Sequence, residues 1–290
     1  MKRLFLAIAA LAVLALPAAP AVAAPHHPTG EFANFGDCPL SNSSVNFCFY
    51  ANTTAGSFTL GSKTVPLVKS SVLQGGFILN EETEKTTFVG AEDGNTLSKS
   101  PQPVPGGLLG ITAPTWWPQF LKDLFNETIN NGFTGVTATV ELAAPASQIQ
   151  LDLHALIFGE GTVLQLPVKV KLDNPFLGGS CYVGSNSSPI VIPLTLGTTS
   201  PPPPNKPITG SRGTVTFNEE FTLIRSVGNR LVNNSFAAPG ANGCGGFLFS
   251  WAVDPLVNSM IGVPSPAGTN TAILEGTTEI GNRAAVVASE

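Results

Sequence analysis

The sequence predicts an all-β protein, mainly antiparallel and sandwich- or barrel-like, with one or two short helices. Three observations carry this. Apolar residues recur at every second position in three successive runs: Val136, Ala138, Val140 and Leu142; Ile149, Leu151, Leu153, Ala155 and Ile157; Leu166, Val168, Val170 and Leu172. A period of two belongs to strands that pack on one face and are wet on the other. The chain also carries 30 Gly and 25 Pro with only 11% charged residues, a composition that folds but turns often. Finally, four cysteines in a chain that opens like an exported one suggest disulfide staples.

The opening reads Lys2-Arg3, then an uncharged run from Leu4 to Leu16, then PAAPAVAA. This is the order of a secretory signal peptide, residues 1–23, with cleavage near Ala23 after the small-residue triplet Ala21-Val22-Ala23. A retained anchor would need about 20 unbroken apolar residues, whereas Pro17 and Pro20 interrupt this core. Neither a lipid-accepting cysteine near the cleavage point nor a long apolar C-terminal tail is visible. Removal of the leader takes away Lys2 and Arg3, leaving 12 basic against 19 acidic residues and a formal charge of −7 over 267 residues. Nucleic acid is excluded as a partner, because polyanion binding needs clustered Lys and Arg. The secreted chain is long enough for a sizeable core.

Residues 24–45 read as a lead-in holding the first half of a local disulfide, with Pro25-His26-His27-Pro28 as a mobile start. The β-rich domain spans 46–290, either as one body or as two subdomains, 46–115 and 133–290, joined by a helix at 118–130. Strands are expected at NFCFYA, SFTL and TVPL, then at 71–80 and 86–89, with Glu81, Glu82 and Glu84 in a solvated turn. The segment 91–118 is loop-like, from its Asp93-Gly94 turn and its repeated Pro and Gly. Pro118 suits a first helical position, and Phe120, Leu121, Leu124 and Phe125 then share a face until Asn130-Asn131-Gly132 stops the helix, about 20 Å on. Further strands are expected at 190–196, 213–224, 229–236, 247–253, 271–280 and 284–288. Pro201 to Pro204 read as an extended polyproline connection, and Asp254 as the cap of a short helix starting at Pro255.

Cys38, Cys48, Cys181 and Cys244 allow three pairings. We favour Cys38 with Cys48 and Cys181 with Cys244, since each bond then staples its own region. Zinc finds no support: there is no CxxC, and His26, His27 and His154 are not at ligand spacing from a cysteine. The acidic turn does not spell out a calcium loop. No cofactor or metal site is expected. Strand geometry would put Asp152 and His154 on one face, where an acid can orient a base, but no GxSxG, HExxH or SxxK supplies a nucleophile or metal site, so no catalytic residue is assigned. Trp116 and Trp117, beside the helix, are the candidate ligand contacts, as a stacking platform for sugar rings.

CPLSNSSVNFCFYA with GSKTVPL, NPFLGGSCYVGS with TTSPPPPN, and GCGG followed by LVNSMIGVPSPAGTNTAILEG together resemble a group of uncharacterised exported proteins of actinobacteria, over most of the mature chain. The resemblance implies a bacterial, extracellular location, in which Asn-x-Ser/Thr sites such as Asn52 and Asn126 carry no glycan. The resulting expectation is a secreted, disulfide-stabilised extracellular or envelope-associated protein with a non-catalytic binding or structural role and a cell-wall or envelope polymer as candidate partner. The alternative is a carbohydrate-binding module or a secreted hydrolase.

Overall fold

The computed structural model describes residues 26–109, 113–130 and 134–290; the expected signal peptide, residues 1–23, lies outside them. The chain is mostly antiparallel β-structure, one 14-stranded sheet curled into a half-barrel. In order, the elements are β1 (Phe47–Leu60), β2 (Lys63–Pro66), β3 (Ser71–Asn80), β4 (Lys85–Gly90), β5 (Gln102–Pro103) and α1 (Gln119–Asn130). There follow β6 (Thr137–Leu142), β7 (Gln150–Leu151), α2 (Leu153–Phe158), β8 (Thr162–Asp173), β9 (Tyr182–Val183), β10 (Ile190–Thr195), β11 (Thr214–Phe217) and β12 (Leu223–Asn233). The last are β13 (Ala241–Asn242), α3 (Gly246–Ile261), β14 (Thr271–Asn282) and α4 (Arg283–Ala288).

The spine of the sheet runs β4-β3-β1-β14-β12-β10-β8, with β6 and β5 continuing it beyond β8. Because β1 pairs along its length with β14, the strands before and after α1 belong to one sheet. Curling requires the long strands to bend, and β1 does so at a bulge between Thr53 and Ala55 opposite Gly276. A Cβ at Gly276 would lie 1.9 Å from the Asn52 carbonyl oxygen, so only glycine lets the two backbones close at this point. The two ends of the sheet approach one another through Gln102 of β5. Its Oε1 accepts from the backbone N–H groups of Val68 and Lys69, just after β2, and its Nε2 donates to the Lys69 carbonyl.

The alternating residues fill the concave side: Val168, Ile190 and Leu194 are among the most buried side chains. A second, smaller core under the N-terminal segment gathers Phe32, Phe35, Leu40, Leu223 and Val286 around the Cys38–Cys48 bond. Cys181 bonds Cys244, the other of the two anticipated links.

Six expectations are corrected. His26 is fixed rather than mobile: its backbone N–H donates to Gly36, and its ring lies 2.6 Å from Glu290 Oε1 and 3.2 Å from Glu92 Oε2. The alternation after Ile149 does not continue as a strand, because Asp152 accepts from the Ala155 N–H at 2.8 Å and so caps α2. Residues 213–224 split into β11 and β12 around a turn in which Asn218 Oδ1 accepts from Thr222 and Leu223. The proline run bends, with residues 203–204 in a turn. Residues 247–253 are helical, within α3, and 284–288 form α4 under an Asn282 cap.

Candidate functional site

The concave face of the half-barrel is not filled to its end. Between β1–β2 on one side and β6–β8–β9 on the other it leaves an apolar trough of about 100 Å³, open at its mouth, room for a slender apolar group. Its walls follow from the period of two. Phe58 and Leu60 face it from β1, Val65 from β2, Ala138 and Val140 from β6, and Val170 and Leu172 from β8. The intervening Thr139, Glu141, Lys169 and Lys171 take the opposite face, where Lys169 pairs with Glu141 and Lys171 with Asp173.

α3 crosses the mouth as a strap, attached along its length by hydrogen bonds from both backbone and side chains. Near its start the Gly245 N–H donates to the Leu177 carbonyl. In its middle Asp254 accepts from the N–H groups of Cys244 and Gly243 at 2.7 and 3.2 Å. One turn later Asn258 accepts from Ala241 N–H and donates back to its carbonyl. At its end the Ile261 carbonyl accepts from Ser62, in the β1–β2 turn, through both backbone and hydroxyl. Val257, Met260 and Ile261 therefore hang over the trough and line it.

The lining is almost wholly hydrocarbon. Among the described residues, Gln102 and Lys63 are its only side chains with a polar end. All of Gln102's bonds go to the backbone of Val68, Lys69 and Ser100, so Lys63, at the β1–β2 turn, is the one charged group on the lining. Such a surface excludes water from a chain or ring without polar groups.

The residues singled out from sequence lie elsewhere. Trp116 and Trp117 precede α1; their rings stand at 86° with centroids 6.1 Å apart, and Trp117 meets Phe125 edge-on at 5.6 Å. They do not present one flat face for a sugar ring. Asp152 is committed to its helix cap, and His154 packs on Phe158 at 4.4 Å between ring centroids. The four cysteines are all in disulfides, and Cys181 and Cys244 hold the seat of α3. Among the described residues no group of three His, Cys, Asp or Glu is placed to hold a metal ion.

Two further features are structural. Glu279, buried on β14, receives Arg225 Nε at 2.7 Å and Asn34 Nδ2 at 2.9 Å, and burial together with Glu279 pushes the Tyr50 phenol above its usual range. A hollow beside Gly159 and Thr195 is open, with Glu160, Pro193 and Asn233 among the glycine, threonine and serine residues that line it. No helix among the described residues is long and apolar enough to cross a membrane. Compared with protein-family models, curated proteins and solved structures, the chain matches none.

Proposed function

We propose that this is an exported, disulfide-stabilised binding protein without catalytic activity, which holds the hydrocarbon part of an apolar or amphiphilic small molecule in the trough beneath α3. The observation that carries the reading is the lining itself: an enclosed face of Val, Leu, Ile, Met and Phe with one cation at the rim. A monomeric core of this size normally closes on itself to near-crystalline density; an apolar hollow spanned by a strap has no structural use that filling would not serve better. Lys63 suits the anionic end of an amphiphile, with the chain running inward between Phe58 and Val65 on one wall and Val140 and Val170 on the other. The two disulfides and the leader-like opening support action outside the cell, where bound hydrocarbon must be shielded from water.

The test is binding of a fluorescent long-chain fatty acid to the purified protein. Wild type is expected to enhance its emission and saturate at one equivalent. Ala138→Phe, which adds a ring to a buried position facing the trough, is expected to abolish the signal while circular dichroism and thermal unfolding stay near wild type. Binding that survives both Ala138→Phe and Val170→Phe would refute the assignment of the trough.

A further inference from the structure

α3 has two apolar sides, and the trough uses only one. While Val257, Met260 and Ile261 point inward, its N-terminal half projects from the body: Phe247 is 98% exposed and Trp251 79%, with Leu248 and Phe249 beside them. Phe176, on the loop whose Leu177 carbonyl receives the Gly245 N–H, adds a further exposed ring. Scattered exposed apolar residues need no explanation, but a cluster of large ones on one element does.

The cluster is also free of charge. Between Arg230 and Glu275 the only charged residue is Asp254, and its carboxylate is turned onto the backbone of Gly243 and Cys244. We infer that the exposed half of α3 docks on the surface of a lipid bilayer, with Phe247, Leu248 and Trp251 seated at the boundary of headgroups and acyl chains. The inference rests on the trough holding hydrocarbon, and it says where that hydrocarbon comes from.

Three observations choose this occupant. The apolar patch and the apolar trough are the two sides of one helix, so a molecule leaving a bilayer under α3 passes from lipid to protein with little apolar surface crossing water. At 16 residues α3 is too short to span a membrane, yet its bulky aromatic and leucine side chains match those of helices that lie in the interface. Its lack of exposed charge removes the electrostatic part of such binding, so attachment is by burial of apolar area alone. A specific protein partner would be expected to meet some polar complement on the patch, and the exposed half of α3 has Ser250 as its one polar side chain.

The experiment is flotation of the purified protein with phosphatidylcholine vesicles, with and without phosphatidylglycerol, at low and high salt. Wild type is expected to float equally with both compositions at both salts, with a blue shift in tryptophan emission. Phe247→Ser/Trp251→Ser removes two exposed aromatic rings and is expected to lower partitioning on the order of a hundredfold, without touching the trough. Wild type that stays at the bottom, or a double variant that floats as well as wild type, would overturn the inference. So would a wild-type dimer in sedimentation that the double variant abolishes without any vesicle binding, since the patch would then cover a second copy. The fatty-acid assay separates the two proposals. Flotation without fatty-acid binding sinks the trough assignment and leaves docking intact, and fatty-acid binding without flotation does the reverse.

Discussion

Asp254 Oδ1 accepts the backbone N–H of Cys244 at 2.7 Å, so the single charge of the strap helix is spent on the residue that the long disulfide anchors. A carboxylate that gathers two backbone donors holds two segments at once, and hydrogen bonds to a charged group contribute about 1.5–3 kcal/mol. Asp254→Ala is expected to lower unfolding stability by about 2 kcal/mol in urea titration and to quicken release of a bound fatty acid. Asp254→Asn, which keeps one acceptor, should lose less on both counts. Equal stability of Asp254→Ala and wild type would mean that α3 is held by its apolar side alone.

The two disulfides are expected to differ in kind as well as in size. Cys181–Cys244 spans 63 residues and Cys38–Cys48 spans 10. On the chain-entropy account, replacing the pair by serines costs about 4 kcal/mol for the first and about 3 kcal/mol for the second. The first also frees Cys244 from the β8–β9 wall on which Asp254 and Gly245 seat α3. Cys181→Ser/Cys244→Ser should therefore weaken fatty-acid binding at temperatures where the variant is still folded, and Cys38→Ser/Cys48→Ser should leave it unchanged. Comparable loss of binding in both double variants would show that the trough responds to global stability and not to the strap.

Much of the sheet was legible because side-chain period reports one thing reliably, which face of a strand is apolar. Spacing alone puts Ala138 and Val140 on the apolar face of one strand and Val170 and Leu172 on that of another, and the structure brings all four to the trough. Spacing does not say whether that face meets another layer or an empty space, because the opposing residues, Phe58 and Val65, come from strands some 80 positions earlier in the chain. The helix at α1 announced itself through Pro118 and a clear apolar stripe. α3 did not, since its first half is apolar all round, a pattern that a short run shares with a buried strand, and since Pro255 reads as a first helical position when it in fact sits inside the helix. α4 carries a usable signal in its sequence: Asn282 before an alanine-rich run is a cap, and its Oδ1 accepts from Ala284 N–H at 2.9 Å. The Asp152–His154 pairing failed for the same reason in reverse, because Asp152 found a helix to cap and the face it was to share with His154 ceased to exist.

Asp37 gives the fold a pH dependence whose sign is fixed by its surroundings. Burial raises its pKa above the ordinary carboxylate value, the Asp93 charge adds to the rise, and the hydrogen bond from Gln74 Nε2 at 2.9 Å opposes it. A carboxyl whose pKa is higher folded than unfolded binds its proton more tightly in the native state. Its penalty is thus absent at pH values below the unfolded pKa of about 4, grows as pH rises through the folded value, and is full at neutrality. Asp37→Asn keeps an acceptor for Gln74 and removes the charge, so it should stabilise the protein at pH 7, with the gain vanishing well below pH ~4. Asp93→Asn, which removes only the second cause, should give a smaller gain over the same window. Thermal unfolding of the three proteins across this range checks the sign, and an Asp37→Asn variant that is less stable at pH 7 than at acid pH, relative to wild type, would show that the Gln74 bond outweighs the burial of the charge.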